Sequence, residues 1–136
     1  MRLLGKKNIF IKTQGREKFS KSVGHAIDGI EYTINKERNI KLEILAAIIV
    51  SVAGFILKIT LTEWLVMLLV ISMVLSLELI NTAIERCVDL VTKDYHDLAK
   101  VAKDASAGAV FMMSLFSIII GIVVFLPKII NLLGGK

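Results

Sequence analysis

Three stretches of the chain are almost unbroken in apolar residues, and a fourth repeats apolar positions with a helical period. Ile44–Leu57 reads ILAAIIVSVAGFIL, Trp64–Leu77 reads WLVMLLVISMVLSL, and Ala105–Leu126 reads ASAGAVFMMSLFSIIIGIVVFL with no charge in it. A membrane-spanning helix takes about 20 mainly apolar residues. The third run meets that length alone. The first meets it if Glu43 and Lys58 reach outward to the interfaces, as long charged side chains do. The second meets it only if the helix continues through Glu78 and Asn81. The pattern predicts spans at about 40–59, 63–90 and 104–126. Thr62 is the expected N-cap of the second, with Trp64 as its interfacial anchor. Pro127 and the terminal LLGGK are expected to stop the third. Before them, Phe19, Val23, Ala26, Ile27, Ile30 and Ile34 fall on one face of a helix predicted over about 18–36. That helix is too short and too basic to span. It either lies on the cytoplasmic membrane surface or packs on its own bundle, and the two are compatible. Residues 1–16 read as a polar lead, 17–130 as one all-α membrane domain and 131–136 as a tail.

Composition supports that class. Apolar residues make up 55% of the 136 residues, with a mean hydropathy of +0.72. Soluble domains hold about 45–50% apolar residues even with glycine included. A soluble bundle would have to cover three such helices with protein, and a chain this short cannot. The segment MRLLGKKNIF is charged but lacks an apolar h-region and a cleavage site, so no cleaved leader is expected. Cys87 is the single cysteine, which excludes an internal disulfide. The net charge is +5, and ten of the 17 Lys and Arg precede the first span. Basic residues then alternate: few between spans one and two, several over Arg86–Lys103, few at the end. By the positive-inside rule the N-terminus is cytoplasmic, and three spans put the C-terminus outside the plasma (inner) membrane. The basic excess reads as a topology and headgroup signal, with no nucleic-acid partner.

Charge changes the picture most in one place. SLELINTAIERCVDL, Ser76–Leu90, follows an apolar run yet carries four acidic or amide side chains. On a helix, Glu78, Asn81, Thr82, Glu85 and Asp89 fall within an arc of about 100°. Apolar residues and Cys87, read as packing, occupy most of the rest. An ionised carboxylate at the bilayer centre costs about 2.5–3.5 kcal/mol on insertion scales, and like charges on one face repel. The stripe therefore needs a partner: basic side chains, protons or a divalent cation. Lys41, Lys100 or Lys103 could supply a purely structural salt-bridge network. Alternatively, Glu37, Arg38 and Lys41 before span one, with Lys103 and Asp104 before span three, reach the same depth. That would set acids able to hold Mg²⁺ beside lysines able to hold phosphate. His25 and His96 show no metal-ligand spacing and read as surface. No P-loop, protein-kinase motif set or zinc spacing occurs. On the residues alone, a small proton-coupled transporter or channel subunit remains a rival.

The segment ELINTAIERCVDLVTKDYHDLAKVAKDASAGAV resembles the signature of the prokaryotic diacylglycerol kinase family, small three-span membrane kinases. The family form is roughly E-x-x-N-[ST]-A-I-E-x-x-[VI]-D, then Y-H-x-L, then A-K-D. The resemblance runs from about Phe19 to about Leu126 without a gap in its central motif. It implies ATP- and Mg²⁺-dependent phosphorylation of a membrane lipid alcohol at the cytoplasmic leaflet. Undecaprenol is the expected acceptor, because ERNIKLE, ELINTAIE and AKDASAGAV look closer to Gram-positive members; diacylglycerol is the alternative. By position, Glu78 matches the catalytic base, and Glu37 and Glu85 match the acids that hold Mg²⁺ with the ATP phosphates. Asp94, Tyr95, His96, Lys103 and Asp104 match nucleotide-contacting positions, and Asn81 a polar residue beside the base. Lys41 and Asp89 are expected to support the site. Lys18 stands where an Arg is usual, and His25, in SVGHA, replaces a Tyr associated with the nucleotide. Arg and Lys are not equivalent for bidentate contacts. The resemblance also implies a homotrimer with sites shared between subunits.

Overall fold

The computed structural model describes residues 3–134, with side chains from Lys18 onward. Four helices follow one another: α1 (Leu3–Lys36), α2 (Arg38–Ile56), α3 (Leu61–Val91) and α4 (Asp97–Leu133). The described chain contains no strand. It divides into two compact units, α1 and the segment from Glu37 onward.

α1 starts at Leu3, not near residue 18, so residues 3–16 extend a helix where a separate polar lead was expected. Leu, Lys, Gln and Arg fill half of that stretch. They are strong helix formers that need no apolar stripe to hold the backbone. The side chains of Lys6, Lys7, Lys12 and Arg16 lie outside the described set, as do Arg2 and Lys136. Further along, Phe19, Val23, Ile27 and Ile30 are exposed, as are polar residues of α1 such as Lys21 and Glu31.

α2, α3 and α4 are each long and apolar enough to cross a membrane. They hold 19, 31 and 37 residues. At about 1.5 Å per residue, α3 and α4 overrun a hydrocarbon core of about 30 Å. α3 packs along α4 more extensively than along α2.

Helix ends differ from the sequence expectation in three places. α4 begins at Asp97, not near 104: the His96 Nδ1 accepts the Leu98 N–H at 3.2 Å as an N-cap. Lys100 and Asp104 then pair at 3.4 Å, one turn apart. Pro127 lies inside α4, which continues to Leu133. A proline removes one backbone donor, but lipid favours a helix in the apolar residues that follow, and spanning helices tolerate the loss. The N-cap of α3 is Thr60, not Thr62. Its hydroxyl accepts the Glu63 N–H at 3.3 Å while the Glu63 carboxylate accepts the Thr60 N–H at 2.6 Å, a full capping box.

Buried residues sort by end. Near loop 57–60, Ile59, Met67 and Val124 form an apolar core with Val50, Trp64, Ile120 and Phe125 packed on it. Trp64 thus joins this core and contacts Phe55 with ring centroids 4.7 Å apart. Gly54 makes that packing possible, since a Cβ there would meet the indole at 3.0 Å. At the opposite end the polar Glu78, Asn81, Thr82 and Ser106 are buried, together with the apolar Ile40.

Candidate active site

α3 brings the acidic stripe into the bundle. Glu78 is 2% exposed, Thr82 3% and Asn81 7%. Asn81 faces α4, where the Ser106 hydroxyl donates to its Oδ1 at 2.7 Å. The Asn81 amide then donates to Glu85 Oε1 at 3.2 Å. Ser106 sits within the small-residue run Ala105–Ala109, which lets α4 come close to α3. Glu78 faces the start of α2 and accepts a hydrogen bond from the Asn39 side chain. The three acids expected to act together are neighbours: Glu37 and Glu85 both lie close enough for their charges to act on Glu78.

Glu37 occupies the N-cap position of α2 but makes no side-chain cap. Its carboxylate instead forms an ion pair with Arg86 on α3. Arg86 also approaches Asp89 at 4.0 Å, and Asp89 accepts from Lys103 of α4. Of the proposed structural network, Lys103 therefore does pair with the stripe, whereas Lys100 pairs with Asp104.

One acid of the cluster was not legible as such. Glu43, expected to reach outward to the interface, turns inward: its Oε2 is buried and has no hydrogen-bond partner. The charge of Glu78 reaches it there. The overlooked signal is the spacing of Asn39 and Glu43, one turn apart and hence on the same face of α2. The Thr82 hydroxyl is likewise buried without a partner. From Glu43 a cavity of about 320 Å³ runs between α2, α3 and α4 toward Phe125, walled by residues such as Val50, Val70, Val74 and Ile118.

Within the unit from Glu37 onward, other predicted site residues lie outside the buried cluster. Asp104 is exposed beside Lys100. Asp94 and Tyr95 are exposed on loop 92–96, and His96 is engaged as the α4 cap. Lys41 is exposed on α2. Lys18 and His25 belong to α1, where His25 approaches Asp28 at 3.8 Å. Cys87, expected in the packing, is exposed.

No group of three or more His, Cys, Asp or Glu among the described residues is arranged to hold a metal ion. Mg²⁺ needs less when it arrives with a nucleotide, since one or two carboxylates complete a shell otherwise made of phosphate and water. The hard oxygen donors of Glu37 and Glu85, both acting on Glu78, fit that case. The carboxylate that lines the apolar cavity is that of Glu43; the buried Glu78 is not part of its wall.

Residues 24–125 match the prokaryotic diacylglycerol kinase family. The chain belongs to that family. Undecaprenol kinase of Bacillus subtilis (strain 168) is 47% identical over 112 residues, covering 82% of this chain and 91% of the relative. Diacylglycerol kinase of Synechocystis sp. is 35% identical over 113 residues, 82% of this chain and 65% of the relative. Diacylglycerol kinase of Haemophilus influenzae is 30% identical over 101 residues, 74% of this chain and 86% of the relative. As a member of the family, this protein is a lipid kinase that uses ATP as co-substrate and a multi-pass membrane protein. The transporter and channel readings of the stripe are thereby set aside. The buried Glu78, Asn81 and Thr82 all lie within the family's own signature segment.

Proposed function

We propose that this lipid kinase transfers the γ-phosphoryl group of ATP to undecaprenol, forming undecaprenyl phosphate at the cytoplasmic leaflet of the plasma membrane. The Bacillus relative, 47% identical across most of both chains, supports this acceptor over diacylglycerol. The kinase unit would be residues 17–130. Glu78 is the general base. Its burial keeps water away while the lipid hydroxyl loses its proton to a Glu78 carboxylate oxygen. The hydroxyl oxygen then forms the new bond to the γ-phosphorus as the bond to the β-phosphate oxygen breaks, leaving ADP. Asn81, held by Ser106, orients Glu85.

Glu37 and Glu85 would hold Mg²⁺ bound with the nucleotide. Neutralising the charge of the phosphates is the chemistry the ion would supply there. Lys103 and Asp104, with Asp94, Tyr95 and His96, would contact the nucleotide. Lys18, His25, Lys41 and Asp89 would support the site. The protein would act as a homotrimer, with the N-terminus in the cytoplasm and the C-terminus outside.

The test follows label from the γ-phosphate of ATP into extracted lipid, with undecaprenol and diacylglycerol supplied side by side. Undecaprenol is expected to take the label, and Glu78→Gln to lower kcat by about 10²–10⁴. Preferential labelling of diacylglycerol would overturn the acceptor. Wild-type rates in Glu78→Gln would remove the base. Glu85→Ala is expected to raise the Mg²⁺ concentration needed for half-maximal rate while the protein stays folded.

A further inference from the structure

Arg86 occupies an unspecified position in the form E-x-x-[VI]-D, and nothing in the resemblance gives it a role. Its guanidinium nevertheless joins two helices, pairing with Glu37 at the start of α2 and approaching Asp89 one turn along α3. Asp89 also receives Lys103 from α4. Two cations from different helices thus converge on one carboxylate. Both are partly open, with side-chain exposures of 46% for Arg86 and 38% for Lys103. Beside them lies Glu37, which acts on the buried Glu78.

This alternation of charge is complementary to a polyphosphate that carries a divalent cation. Carboxylates match the metal, and guanidinium and ammonium match the phosphate oxygens. Half-exposed ion pairs are weak and exchange partners easily. The planar guanidinium fork suits two phosphate oxygens and sheds water more readily than an ammonium.

We propose that Arg86 is a phosphate ligand of the nucleotide, held on Glu37 until Mg²⁺·ATP arrives. On binding, Glu37 is released to the metal and the guanidinium turns to the phosphate oxygens. The inference rests on the reading of Glu37 as a metal ligand.

The experiment uses the full chain in detergent. It measures calorimetric affinity for a non-hydrolysable ATP analogue with Mg²⁺, with helicity recorded for each variant. Arg86→Gln is expected to weaken binding about tenfold, the equivalent of one charge-assisted contact. Arg86→Lys should recover part of the loss. In turnover assays the KM for Mg²⁺·ATP rises while the KM for the lipid alcohol stays. The double variant Arg86→Gln/Glu37→Gln should bind more weakly than Glu37→Gln alone, because a phosphate contact is lost as well. A guanidinium that only neutralises Glu37 would make the double variant equal to Glu37→Gln. That equality, or wild-type affinity in Arg86→Gln, overturns the proposal. A wild-type Mg²⁺ dependence in Glu37→Gln would instead remove Glu37 as a metal ligand, a separate outcome from the Arg86 result.

Discussion

The polar side chains around Glu78 form a chain of positioning contacts from α4 to the middle of the acidic stripe. Ser106 donates to Asn81, and Asn81 donates to Glu85. An amide held at both ends has one orientation, so Glu85 presents its remaining oxygen in a defined direction. Removing the Ser106 hydroxyl leaves the Asn81 Oδ1 buried and unpaired, at a cost of about 1–3 kcal/mol. Ser106→Ala is therefore expected to lower stability by that order and to raise the KM for Mg²⁺·ATP more than the KM for the lipid. Steady-state kinetics with each substrate varied in turn, alongside thermal unfolding in detergent, checks both parts. Equal changes in the two KM values would deny Asn81 a specific hold on the nucleotide side. At this scale the sequence already showed the stripe, because five polar residues within one arc of a helix are visible from spacing alone. It did not show which neighbour each residue meets.

At the scale of the helices, most of the departures from expectation lie at the ends. Apolar runs mark where lipid holds a helix, but a polar helical turn outside the lipid leaves no such mark. The start of α4 is one example, built on the His96 cap and the Lys100–Asp104 pair. The start of α3 is another: Thr60 and Glu63 have the spacing of a capping box, and only their geometry distinguishes Thr60 from Thr62. Glu63 also binds Lys128 at 3.0 Å, so one carboxylate caps α3 and ties it to α4. Glu63→Ala loses both contacts. It is expected to lower the temperature of thermal unfolding, since α3 loses half of its capping box and its tie to α4. Lipid phosphorylation at low temperature should be unchanged, because Glu63 stands at the end of the bundle opposite Glu78. Thermal unfolding in detergent and a parallel activity assay measure this. A large activity loss in a folded variant would contradict the separation of the two ends.

Across the unit from Glu37 onward, the two ends divide the work. One is an apolar core around Met67 and Val124; the other is a buried polar cluster on helices that overrun the bilayer. With the proposed orientation, the polar end faces the cytoplasm, where ATP is found. Cys87, exposed near the C-terminal end of α3, is a natural single-site probe. A membrane-impermeant maleimide is expected to label it in inverted vesicles and not in intact cells. Lys136→Cys in a Cys87→Ser background should show the reverse pattern. Labelling of that C-terminal cysteine from the cytoplasmic side would overturn the topology. Native mass spectrometry in detergent is expected to give three chains per particle, and a monomer active at full rate would refute the shared-site trimer.

The sequence by itself determined the number of apolar helices, the family and the place of the acidic stripe. Each depends on information local to one segment. The length of an apolar run decides whether lipid can solvate a helix, and the period within a run decides which residues share a face. Tertiary structure alone decided that Glu43 turns inward, that Arg86 closes on Glu37 and that Asn81 is clamped by Ser106. Those outcomes depend on how far each helix is rotated about its own axis against its neighbours. Many side chains packing together set that rotation, and no single helix carries it in its own period.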